Sequence, residues 1–228
     1  MNYSLIIPIY NEEKTLKELL NQLEKYIHKI EIIIINDGST DKTKYILDQQ
    51  DKLKIINNPY NRGKGYSLIS GIKLAANENI ILMDGDLEID MECIPDIIQK
   101  YEIELDAIVV GSRWKKESIT SGVTYIHTLG NYLINFLFNF LYNTNLNDVL
   151  CCVKVVDRKL LMSLNLSSHA FSIEIEIMSK LALLNKSIFE VDVIYNRRKK
   201  NEGKKLRFSD GWSILGRMIS VKLNNYKT

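Results

Sequence analysis

The chain has 228 residues, 46% of them hydrophobic and 25% charged, which suffices to bury one large α/β core and leaves no disordered bulk. Its net charge of +2 is uneven: residues 196–228 hold ten Lys or Arg against two acids, the first 195 twenty against twenty-six. A basic end of this kind suits phosphate groups or anionic lipid, or is simply a solvated tail; nucleic acid is excluded as a partner because no recognition module accompanies it. Three cysteines, Cys93, Cys151 and Cys152, are an odd count with two adjacent, which places the chain in a reducing compartment. His28, His127 and His169 lack partners at metal-ligand spacing, so no zinc site is expected. Met1 runs almost at once into strand-like residues with no signal-peptide core, and the expected location is cytoplasmic.

Apolar runs at Leu5 to Ile7, Ile32 to Ile35, Leu53 to Ile56, Ile80 to Met83 and Ala107 to Val110 alternate with helix-length segments. That is the pattern of parallel strands joined by crossover helices, a doubly wound α/β sheet. Leu16, Leu19, Leu20, Leu23, Tyr26 and Ile27 recur at helical spacing, with Thr15-Leu16-Lys17-Glu18 as the expected capping box. Ligands of open parallel sheets sit beyond the carboxyl ends of the strands. Those ends read Pro8-Ile9-Tyr10-Asn11-Glu12-Glu13, Asn36-Asp37-Gly38-Ser39-Thr40-Asp41, Asn57 to Gly65, Met83 to Glu88, and Gly111-Ser112-Arg113. Turn and capping chemistry explains any one of them. Five polar ends together predict one cleft, and Asp84 and Asp86, two residues apart after a buried strand, are placed to hold a divalent cation against a diphosphate.

Along nearly its whole length the sequence resembles the family 2 glycosyltransferases of the GT-A fold, and within them the dolichyl-phosphate mannosyltransferase and polyprenyl-phosphate sugar transferase branch. The resemblance runs through PIYNEE, NDGSTD, NRGKGYSLISGI, MDGDLE and GSR, then NDVLCCVKVVDRK, FSIEIE, EVDVIYNRR and GKKL. It implies a single GT-A domain over residues 1–228, with residues 1–113 binding the nucleotide sugar and 114–228 facing the acceptor. By the same resemblance, Pro8, Tyr10, Glu12 and Asp37 hold the base and ribose of a UDP- or GDP-sugar, and Lys64, between two glycines, brings positive charge near the donor. Asp86 is the stronger metal ligand, with Asp84 on ribose or metal and Glu88 completing a shell for Mg2+ or Mn2+.

The resemblance further implies inverting transfer to a polyprenyl phosphate, whose anionic oxygen needs cations more than a base. Arg113, Arg198 and Lys205 are the candidates, with Arg197 and Lys204 as neighbours. A sugar hydroxyl acceptor, as in transfer to a glycan, would instead need a carboxylate, Glu174 first and Glu176 second. A non-catalytic nucleotide-sugar binder is the remote alternative. A dinucleotide-dependent oxidoreductase is excluded, because Tyr10-Asn11-Glu12-Glu13 stands where Gly-x-Gly-x-x-Gly would be. Departures from the family pattern, such as Cys152 in place of its usual glycine, fall on the acceptor side.

The segment Tyr125 to Tyr142 is apolar, but Asn131, Asn135, Asn139 and Asn143 recur every fourth residue as a polar ridge, so it is not expected to span a membrane. It fits either an amphipathic helix on the cytoplasmic face of a membrane or a helix packed on its own domain with part of that face in a homodimer. The chain is expected to end as a peripheral catalytic domain.

Overall fold

The computed structural model describes residues 3–104, 106–114, 125–184, 186–198 and 210–225. Strands β1 (Tyr3–Ile9), β2 (Glu31–Asn36), β3 (Lys54–Asn57), β4 (Asn79–Leu82), β5 (Ile108–Ser112), β6 (Lys154–Asp157) and β7 (Ile188–Asp192) form a seven-stranded sheet. Their order is β3-β2-β1-β4-β6-β5-β7. β6 runs antiparallel to both neighbours, β4 and β5, and the remaining pairs are parallel. The five apolar runs are therefore parallel strands as expected, but a later strand, β6 at Lys154–Asp157, is inserted between the fourth and fifth.

Helices α1 (Leu16–Leu23), α2 (Thr43–Leu47), α3 (Lys64–Leu74), α4 (Cys93–Ile103), α5 (Tyr125–Tyr142), α6 (Arg158–Ser163), α7 (Ile173–Ala182) and α8 (Asp210–Asn225) cover the two faces. Because side chains alternate along a strand, β1 feeds both cores. Leu5, Ile7 and Ile9 meet Leu16, Leu19 and Leu23 of α1 and Ile94 and Ile97 of α4. Ile6 belongs to the opposite core, with Leu68 and Ile72 of α3, Phe138 of α5, Ile177 of α7 and Met218 of α8. α1 stops at Leu23 and continues as a 3₁₀ turn over Glu24–Tyr26. The expected capping box does not form: the Thr15 hydroxyl makes no cap hydrogen bond and instead donates to the Glu12 carboxylate at 2.7 Å.

Two polar latches hold loops against the helices. Asn135 and Asn139 of α5 turn inward rather than out. The Asn139 amide donates to the Leu146 carbonyl at 2.8 Å and accepts from Leu146 N–H at 3.0 Å and the Thr144 hydroxyl at 2.8 Å. Asn135 donates to the same carbonyl at 2.6 Å and accepts from Val149 N–H at 3.0 Å. The polar ridge thus serves the protein, and Leu129, Leu133, Phe136 and Phe140 are left facing outward. The second latch is Glu176 of α7, fully buried, which accepts from Ser167 N–H at 3.1 Å and Ser168 N–H at 2.7 Å and pairs with Lys180 and Arg217. Burial opposes its ionisation, but Lys180, the Ser168 donors and Arg217 override it and hold its pKa at about 2 against an ordinary 4.5.

Replacing Asn139 with Ala removes three hydrogen bonds from one loop and is expected to lower unfolding free energy by about 1–3 kcal/mol in urea denaturation. Glu176 has a folded pKa below its unfolded one, so its contribution is complete above about 4.5 and is lost as pH falls toward 2. Glu176→Gln should therefore cost roughly 3 kcal/mol at neutral pH, at ~1.4 kcal/mol per pKa unit, with the difference from the parent protein shrinking across that acid window.

Candidate active site

Between β1 and β4 the chain's connections diverge: β1 leads through α1 to β2 on one side, β4 through α4 toward β5 on the other. Such a switch point leaves a crevice at the carboxyl ends of the strands. Pro8 widens it. The Ile6 carbonyl accepts Met83 N–H on the β4 side and the Ile9 carbonyl accepts Asp37 N–H on the β2 side, so Pro8, two residues from Ile6, turns its nitrogen to β4. The β1–β4 ladder ends at Ile6 and Leu82, and Pro8, without an N–H, offers nothing with which to extend it.

Asp84-Gly85-Asp86 follows β4 into this gap. A Cβ on Gly85 would stand 2.4 Å from Ile9 Cγ2 and 2.8 Å from Ile7 Cγ2, so only glycine lets the segment lie against the end of β1. The Asp84 carboxylate receives the Lys64 ammonium, 2.7 Å from Oδ1. Lys64 begins α3, and the same ammonium lies 2.7 Å from Glu174 Oε1. Desolvation works against charge on Lys64, yet Asp84 and Glu174 together hold its pKa well above the ordinary value. Asp86 accepts Glu88 N–H at 3.0 Å; burial and the nearby charges of Asp84 and Glu88 push its pKa up to about 7, against the pull of that N–H and of Arg198.

Several expected ligands are already engaged within the chain. Glu88 accepts from the Tyr195 hydroxyl at 3.1 Å and Arg198 N–H at 3.0 Å, and its carbonyl accepts from Asn196 N–H at 2.7 Å. Among the described residues no three His, Cys, Asp or Glu side chains converge as a ready-made metal site; Glu88 is engaged by Tyr195 and Arg198, while Asp84 and Asp86 face each other's charge. That pair fits a divalent cation: Mg2+ and Mn2+ are held through one or two carboxylates plus substrate oxygens, and the elevation of Asp86 marks a place short of positive charge. Arg198 does not stand apart as a phosphate clamp. Its guanidinium grips Glu12 by two bonds, 3.1 Å to Oε1 and 2.8 Å to Oε2, and donates to Thr15 at 3.1 Å. Asp37, buried at the end of β2, accepts from Asn58 at 2.8 Å, Arg62 N–H at 3.0 Å and Gly63 N–H at 2.8 Å, so it shapes the loop before α3.

The glycines around Lys64 answer to the protein's own backbone. Gly63 has φ +93° and Gly65 would bring a Cβ within 2.0 Å of the Ser168 carbonyl; Gly65 N–H donates to His169 O at 2.8 Å. Tyr10 is half-buried just past β1 and Asn11 takes φ 51°, its amide group bonded to Thr40 of the neighbouring loop. Glu174 is buried between Lys64 and Lys154, and although desolvation raises its pKa, the two ammoniums bring it below the ordinary range. A carboxylate so stabilised is a poor proton acceptor, and the same holds for Glu176. Lys205 lies outside the described residues.

Three residues escaped the sequence reading. Asp148, buried, grips Arg113 through Nε at 2.7 Å and a terminal nitrogen at 2.8 Å, and accepts Arg113 N–H at 3.0 Å. Glu190 of β7 in turn fixes the Asp148 loop, accepting Asp148 N–H at 2.9 Å and Asn147 N–H at 2.8 Å. Arg113 is thereby held with its guanidinium carbon 5.4 Å from the Tyr195 ring and 5.7 Å from the Trp114 ring. The third is Lys154; a lysine inside the run Val153 to Val156 was the signal available.

Comparison with known proteins gives the same architecture. A glucosyl-3-phosphoglycerate synthase from Mycobacterium tuberculosis, solved with Mn2+, UDP and phosphoglyceric acid, superposes with TM-score 0.73 at 16% identity over 97% of this chain and 78% of that one. The dodecaprenyl-phosphate galacturonate synthase of Rhizobium johnstonii is 28% identical over 165 residues, 68% of this chain and 47% of the relative. The dolichol-phosphate mannosyltransferase of Pyrococcus furiosus is 32% identical over 121 residues, 51% and 34%, and the human dolichyl-phosphate beta-glucosyltransferase 29% identical over 202 residues, 75% and 61%. The chain thus spans between a third and two thirds of the length of these relatives. The profile described as Glycosyl transferase family 2 matches residues 4–164, through all the strand ends that build the crevice, and the chain belongs to that family, as a glycosyltransferase of GT-A fold.

Proposed function

We propose that the chain transfers one sugar, with inversion, from a nucleoside-diphosphate sugar to a polyprenyl phosphate. The observation that carries this reading is the Asp84 and Asp86 pair at the switch point, with the Lys64 ammonium on Asp84. Tyr10 offers a flat face to a base, and Lys64 stands where diphosphate oxygens would meet Asp84. A bound Mg2+ or Mn2+, held by Asp86 and Asp84, would neutralise charge on the departing diphosphate. The acceptor phosphate oxygen attacks the anomeric carbon from the face opposite the breaking bond, and the nucleoside diphosphate leaves with the bonding electrons.

Glu174 and Glu176 favour this acceptor over a sugar hydroxyl, since both are buried and held ionised by cations and neither is suited to take a proton. A phosphate oxygen needs no such help. The relatives named for dodecaprenyl or dolichyl phosphate support the same choice. Arg113 and Arg198, each held in place by a carboxylate, Asp148 and Glu12, are the described cations offered to the acceptor phosphate.

The outward face of α5 supports delivery from a membrane. Leu129, Leu133, Phe136 and Phe140 lie on one side of an 18-residue helix with no Asp, Glu, Lys or Arg, Phe136 at 67% and Phe140 at 78% exposure. Among the described residues no helix is long and apolar enough to cross a bilayer. The basic C-terminal sequence adds attraction for anionic headgroups.

Asp86→Ala should lower kcat/KM by at least about a hundredfold, an electrostatic loss near 3 kcal/mol, and abolish the Mn2+-dependent thermal shift given by UDP or GDP. Turnover of nucleotide sugar undiminished by chelator would count against the metal reading, and turnover with hydroxyl acceptors alone against the lipid one. Phe136→Glu/Phe140→Glu should release the protein from vesicles carrying anionic lipid in a flotation assay, at up to ~1.5–3 kcal/mol of lost burial per ring. Loss of a dimer in light scattering, with no vesicle binding by the parent protein, would assign the face to self-association.

A further inference from the structure

Lys154 opens β6, its Cα in register with Leu82 of β4 and Val110 of β5, and its exposure is 0%. Its ammonium reaches Glu174 Oε2 and the Cys151 carbonyl. A lysine inside a sheet is costly unless its charge is met, so a requirement placed it there or tolerates it. The other oxygen of Glu174 is 2.7 Å from the Lys64 ammonium, which is itself 2.7 Å from Asp84. Lys154, Glu174, Lys64 and Asp84 therefore alternate in sign, sum to zero and run from the sheet interior to the mouth of the crevice.

We infer that Lys154 is a positioning residue for the donor site: it fixes Glu174, and Glu174 so fixed anchors the Lys64 ammonium at Asp84, where a diphosphate would arrive. This rests on the reading of Asp84 and Asp86 as the donor end of the site. Without Lys154, two carboxylates share one ammonium. Asp84 borders the crevice and can be served by water or a cation, whereas Glu174 is buried and has no such recourse. Lys64 is then drawn inward to Glu174, away from Asp84 and the donor. The reacting groups are untouched, and donor capture weakens.

Lys154→Met keeps the length of the side chain and removes its charge. Calorimetric titration with UDP and with GDP in Mn2+ should show the nucleotide that the parent protein binds held about tenfold more weakly or worse, the effect usual for a supporting residue behind a binding group. In Lys154→Met/Glu174→Gln the inward pull on Lys64 is gone, and affinity should recover to within about threefold of the parent, the non-additivity expected of one network. Lys154→Arg should bind as the parent does. A purely structural Lys154 would lower melting temperature and folded fraction, leave the dissociation constant of the folded fraction unchanged, and give a double variant no better than the single; that result overturns the inference. If Lys154→Met does not fold, Lys154→Gln, which removes the charge but keeps a polar head beside Glu174, is read in its place: affinity about tenfold below the parent supports the network, and parental affinity refutes it. A parent protein that binds neither nucleotide in Mn2+ refutes the donor-site reading itself.

Discussion

Charge balance at the carboxyl edge of the sheet is the constraint on which the rest of this structure depends. Parallel strands deliver acidic side chains to one crevice, and in a partly desolvated crevice like charges within a few ångströms raise each other's cost of ionisation. The chain answers acid by acid: Lys64 on Asp84, Arg198 on Glu12, Arg113 on Asp148, Lys154 on Glu174. Asp86 instead responds by a pKa near 7, its burial and the charges of Asp84 and Glu88 outweighing the pull of Arg198. Among the described carboxylates Asp86 is the one whose ionisation its surroundings oppose, and on the proposed function a divalent cation brought with a diphosphate would meet that demand.

The same pairings tie together segments far apart in sequence. Arg198 and Glu12 are 186 positions apart, and Tyr195 and Glu88 are 107 apart, so the segment after β7 is fastened across the donor motifs. From the other side, Glu176 fixes Ser167 and Ser168, and the next carbonyl, of His169, receives the Gly65 N–H beside Lys64. The position of Lys64 is thus over-determined, by α7 through the loop backbone and by the Glu174 carboxylate. Rigid placement of a cation before substrate arrives is what makes electrostatic stabilisation effective, since nothing need reorganise during the reaction.

Much of the fold was legible because hydrophobic periodicity reports on burial directly. The five apolar runs became five parallel strands, and the polar ends became the crevice wall. β6 was hidden: the antiparallel strand arrives after α5, short and carrying a lysine, and its insertion between β4 and β5 depends on contacts no local window contains. The asparagines of α5 show a different limit. A spacing of four tells which residues share a helix face, not whether that face looks inward, and here amide hydrogen bonds to the loop from Thr144 to Val149 outweighed the burial of Phe136 and Phe140. Likewise Lys64, Asp86 and Arg113 were visible as residues at strand ends, while the partners that give each its state, Glu174, Arg198 and Asp148, could be assigned only from three-dimensional proximity.

Those partners bear on the chemistry of the acceptor. An enzyme that activates a hydroxyl keeps a carboxylate or imidazole whose proton affinity is raised and whose lone pair faces the substrate. The two acids of the Phe171 to Glu176 segment are driven the other way, buried and neutralised by lysine and arginine. They hold cations and loops, and the positive charge that Glu174 organises is the Lys64 ammonium beside Asp84. On the proposed function, a nucleophile that arrives already ionised asks nothing of these two acids. Under the proposed function a long-chain lipid phosphate would bring its charge with it and its hydrocarbon to the uncharged face of α5, so a single substrate class would suit both the paired acids of this segment and the exposed rings.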